Sequence, residues 1–401
     1  MSAARHNFLD HLAQTSEAPI GLEIDHAEGA WIYTTDGRRY LDFIAGIGVS
    51  ALGHGNAAVL SAIAAQARRH LHVMVYGEYV IEVQARLAAR LAELLPAGLG
   101  RIYFTNSGAE AIEGALKTAR KHTGRAGVVA FDGAYHGDTM AALALMGNPA
   151  FRAPFEPLPG PVCHIPYNDV EALAAIDETI AAVVIEPVQA EGGVRIPDHA
   201  FIAALRERCD RVGAVLIFDE VLTGFGRTGR LFALEHFGVV PDIVVLAKAL
   251  GGGLPLGAFC GSDELIGKLS RNPPLGHITT FGGHPLSCAA GLAALEEMLN
   301  GRWWEAAQRA GERIRIGLSG FGADEIVAVR GLGLLVGIEF AESALAHRFV
   351  AETIARGVIV NWTLNADRVV RLAPPLTIGA AEIEFGLEAM RAALEAVRGG
   401  V

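Results

Sequence analysis

Through the middle of the chain, short unbroken apolar runs alternate with stretches whose apolar residues recur every three or four positions. The runs RIYF (101–104), GVVAF (127–131), AAVVIE (181–186), AVLIFDE (214–220) and DIVVLA (242–247) are rich in β-formers and lack polar alternation. They predict strands buried on both faces. Helical periodicity separates them, as in EAIEGALKTARKH (110–122) and HAFIAALRERCDRVG (199–213). The alternation predicts a mostly parallel sheet with helices on both faces, and ligands bound beyond the carboxyl ends of its strands. The ends of the chain read differently. WIYTTDGRRYLDF (31–43) predicts a hairpin turning at Asp36-Gly37. After about residue 297, RIRIGL, EIVAVRGLGLLVGIEF and VVRLAPPLTI among helices predict a smaller α+β lobe. Within it, RGLGLLVGIEF carries a GxGxxxG spacing. A strand-like run follows where a dinucleotide site needs a helix, so a hairpin or bulge is expected.

Composition narrows the class. The chain has 401 residues, 51% of them hydrophobic and 19% charged, which suits a large packed core in two or three domains. A net charge of −11 with no basic run argues against nucleic acid as partner. The N-terminus has no signal-peptide run and no apolar segment reaches spanning length, so a cytoplasmic protein without membrane contact is expected. The scattered Cys163, Cys209, Cys260 and Cys288 have no CxxC spacing and read as reduced thiols.

Candidate chemistry sits at the strand ends. The chain owns only four lysines. Lys117 and Lys121 stand at i, i+4 on a helix and Lys268 in a polar stretch, where solvated roles are expected. Lys248 alone follows a buried strand and precedes three glycines, in DIVVLAKALGGGLPLGAF. A desolvated lysine there has a lowered pKa and suits a Schiff-base nucleophile; a loop lysine snorkelling to solvent is the plainer reading. If the carbonyl partner is pyridoxal phosphate (PLP), the site also needs a carboxylate for the ring nitrogen and an anion hole. Asp219, ending the LIFDE strand, offers the first, although helix-capping carboxylates are commoner. TNSGAE, between a strand and a helix, offers the second, and Ser107 with Glu110 also fits a plain capping box. FDGAYHGDT (131–139) sets Tyr135 and His136 just past another strand end, with Tyr135 able to lie on a pyridine ring.

These motifs together resemble the class III (ω-amino acid) aminotransferases, PLP enzymes of fold type I. The resemblance runs from GAWIYTTDGRRYLDFIAGIGVSALGH (29–54) to RLAPPLTI (371–378), through NSGAEAIEGALKTAR, AYHGDT, EPVQAEGGV, FDEVLTGFGRTGRLFA and TTFGGHPLSCAA. It implies an α/β fold: a large domain (51–297) with a mostly parallel seven-stranded sheet, a small α+β domain (298–401), and an N-terminal segment (1–50) contributing to the small lobe. It implies Lys248 as the Schiff-base lysine and proton carrier, and Asp219 as partner of the pyridinium. The cofactor set it implies is Ser107, Gly108, Ala109, Tyr135, His136, Glu186, Asp219, Leu222, Lys248 and, from the neighbouring subunit, Thr280. A homodimer is therefore obligatory, with assembly into tetramers left open.

For the substrates, the resemblance implies an amine donor and a keto-acid acceptor. Arg371 in RLAPPL matches the arginine of 2-oxoglutarate users, and Glu191 the glutamate that pairs with it; a structural ion pair is the alternative. Ile47 and Asp138 complete the expected substrate set. The ornithine and acetylornithine enzymes usually read HGR[ST] where this chain reads HGDT, and glutamine where Leu222 stands. Ala109 also replaces a common threonine of the phosphate turn. NPAFRAPFEPLPG (148–160), HITTFGGHPLSCAAGLAAL (277–295) and TLNADRVVRLAPPLTI (363–378) look most like the putrescine-type branch. The expectation is therefore a primary ω-amine donor such as a diamine, with an acetylornithine or ornithine aminotransferase as the alternative.

Overall fold

The computed structural model describes residues 2–322 and 324–399. Its central sheet has seven strands, in the spatial order Arg101–Thr105, Gly257–Gly261, Ile243–Leu246, Val215–Asp219, Ile180–Ile185, Gly127–Phe131 and Val162–Ile165. Six run parallel, and Gly257–Gly261 is antiparallel to both neighbours. All five strands anticipated from apolar runs lie within a residue or so of their expected bounds. The sequence reading passed over two. GAFCG has two glycines and no alternation, and VCHI is an edge strand with an exposed cysteine. Both are recruited by pairing with stronger neighbours.

The parallel strands are apolar on both faces because helices cover both. The helix Gly108–Thr123 packs Ala111, Ile112, Ala115 and Ala119 onto one face with Val128, Val184, Val245 and Phe259. The opposite face carries Phe131, Val183, Phe218 and Val244 into a larger core shared with the helix His199–Val212. Close fit is enforced at Gly114, where a Cβ would lie 2.3 Å from the Phe259 ring.

Two four-stranded sheets flank this layer. In the first, Trp31–Thr34 and Arg39–Asp42 form the expected hairpin, with Gly37 at φ 83° in the turn; Ile24–Glu28 extends it to a meander and Val358–Ile359 joins its other edge. In the second, Ile326–Leu332 and Leu335–Phe340 form the hairpin expected of the GxGxxxG segment, turning at Gly333 (φ 56°). Asn361–Thr363 and Ala366–Leu372 make a second hairpin in the same sheet. That hairpin carries Arg371 inward, only 1% exposed.

Candidate active site

A cavity of about 580 Å³ opens at the carboxyl ends of the parallel strands, where the topology directs it. Lys248 stands on its wall, two residues beyond the strand Ile243–Leu246 and in a left-handed conformation (φ 47°). Burial, with the Arg371 guanidinium adding to it, holds the Lys248 ammonium below its ordinary pKa, against the pull of Glu191, Asp219 and Glu186. The glycines after it have divided tasks. Gly253 lines the cavity, whereas Gly252 is demanded by the helix Pro285–Gly301, since a Cβ there would lie 2.7 Å from the Ala290 carbonyl.

Asp219 ends the strand Val215–Asp219, also on the cavity wall. Its Oδ1 accepts from the Val221 N–H at 3.0 Å and its Oδ2 shares a 2.7 Å hydrogen bond with His136 Nδ1. Burial disfavours a charged His136, but the hydrogen bond and charge of Asp219 outweigh it and raise its pKa. His136 Nε2 is buried without a partner. Glu186 accepts from the N–H groups of Tyr135 (3.0 Å) and Ala190 (3.1 Å), and burial pushes its carboxyl up to about 7.

At the far end the strand Arg101–Thr105 turns directly into the helix Gly108–Thr123. Ser107 is its N-cap, with Oγ accepting from the Glu110 N–H at 3.2 Å. Glu110 reaches back to the Asn106 N–H at 2.8 Å, so the capping box closes one residue earlier than its usual register. Ser107, Gly108 and Ala109 line the cavity with the unsatisfied amides of this helix end. Gly108 and Gly137 are required by close approach: a Cβ on the first would meet Val221 at 2.9 Å, and on the second Ala109 at 2.5 Å. The second contact leaves little space for a residue larger than Ala109.

Tyr135, Asp138, Glu191 and Leu222 complete the wall. The Tyr135 hydroxyl donates to Asp138 Oδ2 at 2.7 Å; burial first, then Asp138, raises the phenol pKa. Glu191 Oε1 accepts from Arg371 Nη1 in a nearly dry ion pair. Burial opposes a charged Glu191, yet Arg371 holds its pKa below the ordinary value. Arg371 Nη2 is buried without a partner. The sequence reading missed two contributors: Leu364, whose N–H donates to Glu191 Oε2 at 2.9 Å, and Asn365 beside it. No motif marks them, since their contacts are made through a turn's backbone and one amide.

Three expected residues do not line the cavity of this chain: Thr280, Ile47 and Arg371, which is buried and meets the wall through its ion pair with Glu191. Thr280 is exposed. Ile47 is exposed in a strained turn (φ 63°), while Val49, two residues on, lines the cavity. Lys117 and Lys121 do more than meet solvent: Lys117 Nζ lies 3.0 Å from His277 Nδ1, and Lys121 donates to the Arg271 carbonyl.

Residues 12–394 match the family described as Aminotransferase class-III. The chain belongs to that family. Class III aminotransferases are PLP-dependent enzymes, and the fold is that of their solved members. Among the relatives, an acetylornithine aminotransferase of Methanopyrus kandleri is 44% identical over 96% of this chain and 97% of its own length. A putrescine aminotransferase of Pectobacterium atrosepticum is 42% identical over 86% of this chain and 76% of its own. The ornithine aminotransferase structure from Toxoplasma gondii, described with partial PLP occupancy, superposes at a TM-score of 0.91 with 31% identity, covering 98% of this chain and 94% of its own.

The class III site fits its cofactor on local grounds. A helix N-terminus at one end suits a phosphate. A buried carboxylate braced by His136 suits a protonated ring nitrogen, and a lysine with a depressed pKa suits a carbonyl. Among the described residues no metal-ligating cluster occurs, and no helix is long and apolar enough to cross a membrane.

Proposed function

We propose that this aminotransferase moves a primary ω-amino group from a cationic amine, of the diamine type, to a dicarboxylic keto acid such as 2-oxoglutarate. The donor half rests on one observation: Asp138, held by the Tyr135 hydroxyl at 2.7 Å, puts a fixed negative charge at the cavity rim. Such a charge attracts a distal ammonium and repels a donor carboxylate. Asp138 is exposed, so solvent screens the effect to about 1 kcal/mol.

The acceptor half rests on Arg371 and Glu191. With Nη1 on Glu191 and a buried Nη2 unpartnered, Arg371 offers a two-pronged fork to any carboxylate that displaces Glu191. When an amine without a carboxylate occupies the same place, Glu191 stays and neutralises the guanidinium. Bound PLP supplies an electron sink for the negative charge that develops on the substrate carbon. Lys248, its pKa lowered, removes and returns the proton at that carbon. Asp219, oriented by His136 and the Val221 N–H, keeps the ring nitrogen protonated, and the turn Ser107–Ala109 holds the phosphate. Thr280 of a second copy completes the phosphate contacts.

A second reading, an acetylornithine aminotransferase, is favoured by the 44% identical relative of that name. Its donor's α-carboxylate then needs a cation other than the arginine that Asp138 replaces. The two readings separate in a half-reaction without keto acid, following loss of the holoenzyme's visible absorption with putrescine, N-acetylornithine, ornithine or 4-aminobutyrate. Putrescine is expected to react fastest, and Asp138→Asn to cut its advantage roughly fivefold at low salt. Faster bleaching by N-acetylornithine would move the enzyme to the second reading.

A further inference from the structure

The two residues at the tip of the hairpin Asn361–Thr363/Ala366–Leu372 meet both substrate-facing walls of the cavity. The Leu364 N–H donates to Glu191 Oε2 at 2.9 Å, and the Asn365 N–H to the Glu191 carbonyl at 2.9 Å. Asn365 Nδ2 donates to the carbonyls of Gly133 (3.1 Å) and Ala134 (2.9 Å), the two residues leading into Tyr135. Nothing in the chemistry of amino transfer requires these contacts. The strand leaving the tip is held against Gly193, where a Cβ would lie 3.2 Å from Ala366 Cβ.

We propose that this tip is a positioning latch that sets how readily Glu191 leaves Arg371, and so how the site divides its affinity between substrates with and without a carboxylate at that place. The inference rests on the reading of Glu191 and Arg371 as an exchangeable pair. Glu191 has two carboxylate oxygens, and each is held: Oε1 by Arg371, Oε2 by the Leu364 N–H. To expose Arg371, the carboxylate must rotate away from both. The Leu364 N–H cannot follow, because Asn365 ties the same turn to residues 133, 134 and 191. The latch therefore favours the paired state, and apparent affinity for a carboxylate falls in proportion to the open fraction.

Leu364 can be stripped of its donor with little disturbance. The Leu364 N–H bonds Glu191 and no backbone partner, and Thr363 before it is in a strand, so Leu364→Pro removes that one hydrogen bond without breaking the ladder. The test is calorimetric titration of the holoenzymes with glutarate, a dicarboxylate that cannot react, for wild type, Glu191→Ala, Leu364→Pro and Asn365→Ala. Glu191→Ala is expected to bind glutarate more than roughly tenfold tighter, and Leu364→Pro roughly three- to tenfold tighter. Asn365→Ala should move the same way by less. In putrescine half-reactions, Leu364→Pro should slow bleaching, since Arg371 is then left uncapped more often. A tight Glu191→Ala beside an unchanged or weaker Leu364→Pro would overturn the latch while the exchange reading stands. No tightening in Glu191→Ala would overturn the exchange reading itself. If Leu364→Pro fails to fold, Asn365→Ala decides, and unchanged glutarate affinity there overturns the latch.

Discussion

Asp219 and Glu220 are neighbours in sequence and both buried, yet their carboxylates serve different ends. Asp219 faces the cavity, while Glu220 accepts from the N–H groups of Ala233 (2.6 Å) and Leu234 (2.7 Å) and from the Thr223 hydroxyl (3.2 Å). Glu220 thus ties down the loop after the strand, and burial pushes its carboxyl from 4.5 up to about 7. Because the folded pKa is the higher, the native state binds the extra proton and stability falls as pH rises through this window. The stabilisation is complete below about 4.5 and lost above about 7, a change on the order of 3 kcal/mol. Urea unfolding at stepped pH should show this decline, and Glu220→Gln should flatten its share of it. A slope identical in the variant would mean that Glu220 is not the titrating group. Lys248 and Asp219 were legible as single residues because a charge ending an apolar strand is rare. Glu220 was not, because the two backbone amides it binds, of Ala233 and Leu234, are more than ten positions away.

Among the elements, the segment after the N-terminal meander departs furthest from local expectation. Ala45, Gly46, Ile47 and Gly48 all have positive φ (47°, 58°, 63° and 78°), forming one turn of left-handed helix. Ala45 and Ile47 carry a steric cost of about 1–2 kcal/mol each there. Asp42 offsets it: its carboxylate accepts from the N–H groups of Ile44 (3.0 Å) and Gly46 (3.2 Å) and bonds His54 Nε2 at 2.9 Å. The turn brings Gly48 against Leu222 and Lys248, where a Cβ would meet Leu222 Cδ1 at 2.4 Å. Asp42→Ala should cost about 3 kcal/mol, read as a lower denaturant midpoint. A loss under about 1 kcal/mol would show that other contacts hold the turn. The hairpin before it was legible from Asp36-Gly37, but alanine and isoleucine carry no signal for positive φ. Only the buried Asp42 dictates it.

At the scale of the whole molecule, the surface of a single chain carries apolar residues that suit a second copy. Val80 is 97% exposed, and Tyr79, Leu275, Ile278 and Phe281 are also exposed. The loops around 76–78 and 274–278 line one groove, and the Phe281 ring lies tilted against His72, with centroids 4.9 Å apart. Thr280 stands in this region, which is where a residue serving a neighbouring site belongs. Sedimentation should find a homodimer, and the pair Val80→Glu with Phe281→Asp should give monomers that lose PLP. Thr280→Ala should keep the dimer and weaken PLP binding several-fold. Monomers that retain PLP at wild-type affinity would remove Thr280 from the site.

By itself the sequence determined the parallel sheet and the residues at the strand ends, and its resemblance to the class III aminotransferases implied the cofactor. The sheet and the strand ends depend on local pattern: an apolar run makes a buried strand, and the few residues after it must stand at the rim. Tertiary structure alone decided which of those residues meet. Tyr135 bonding Asp138, the left-handed turn on Asp42, and the hairpin tip that reaches Glu191 all join loops. Loop positions carry no periodicity, and they are set by the packing of the elements they connect and by distant backbone groups that need partners.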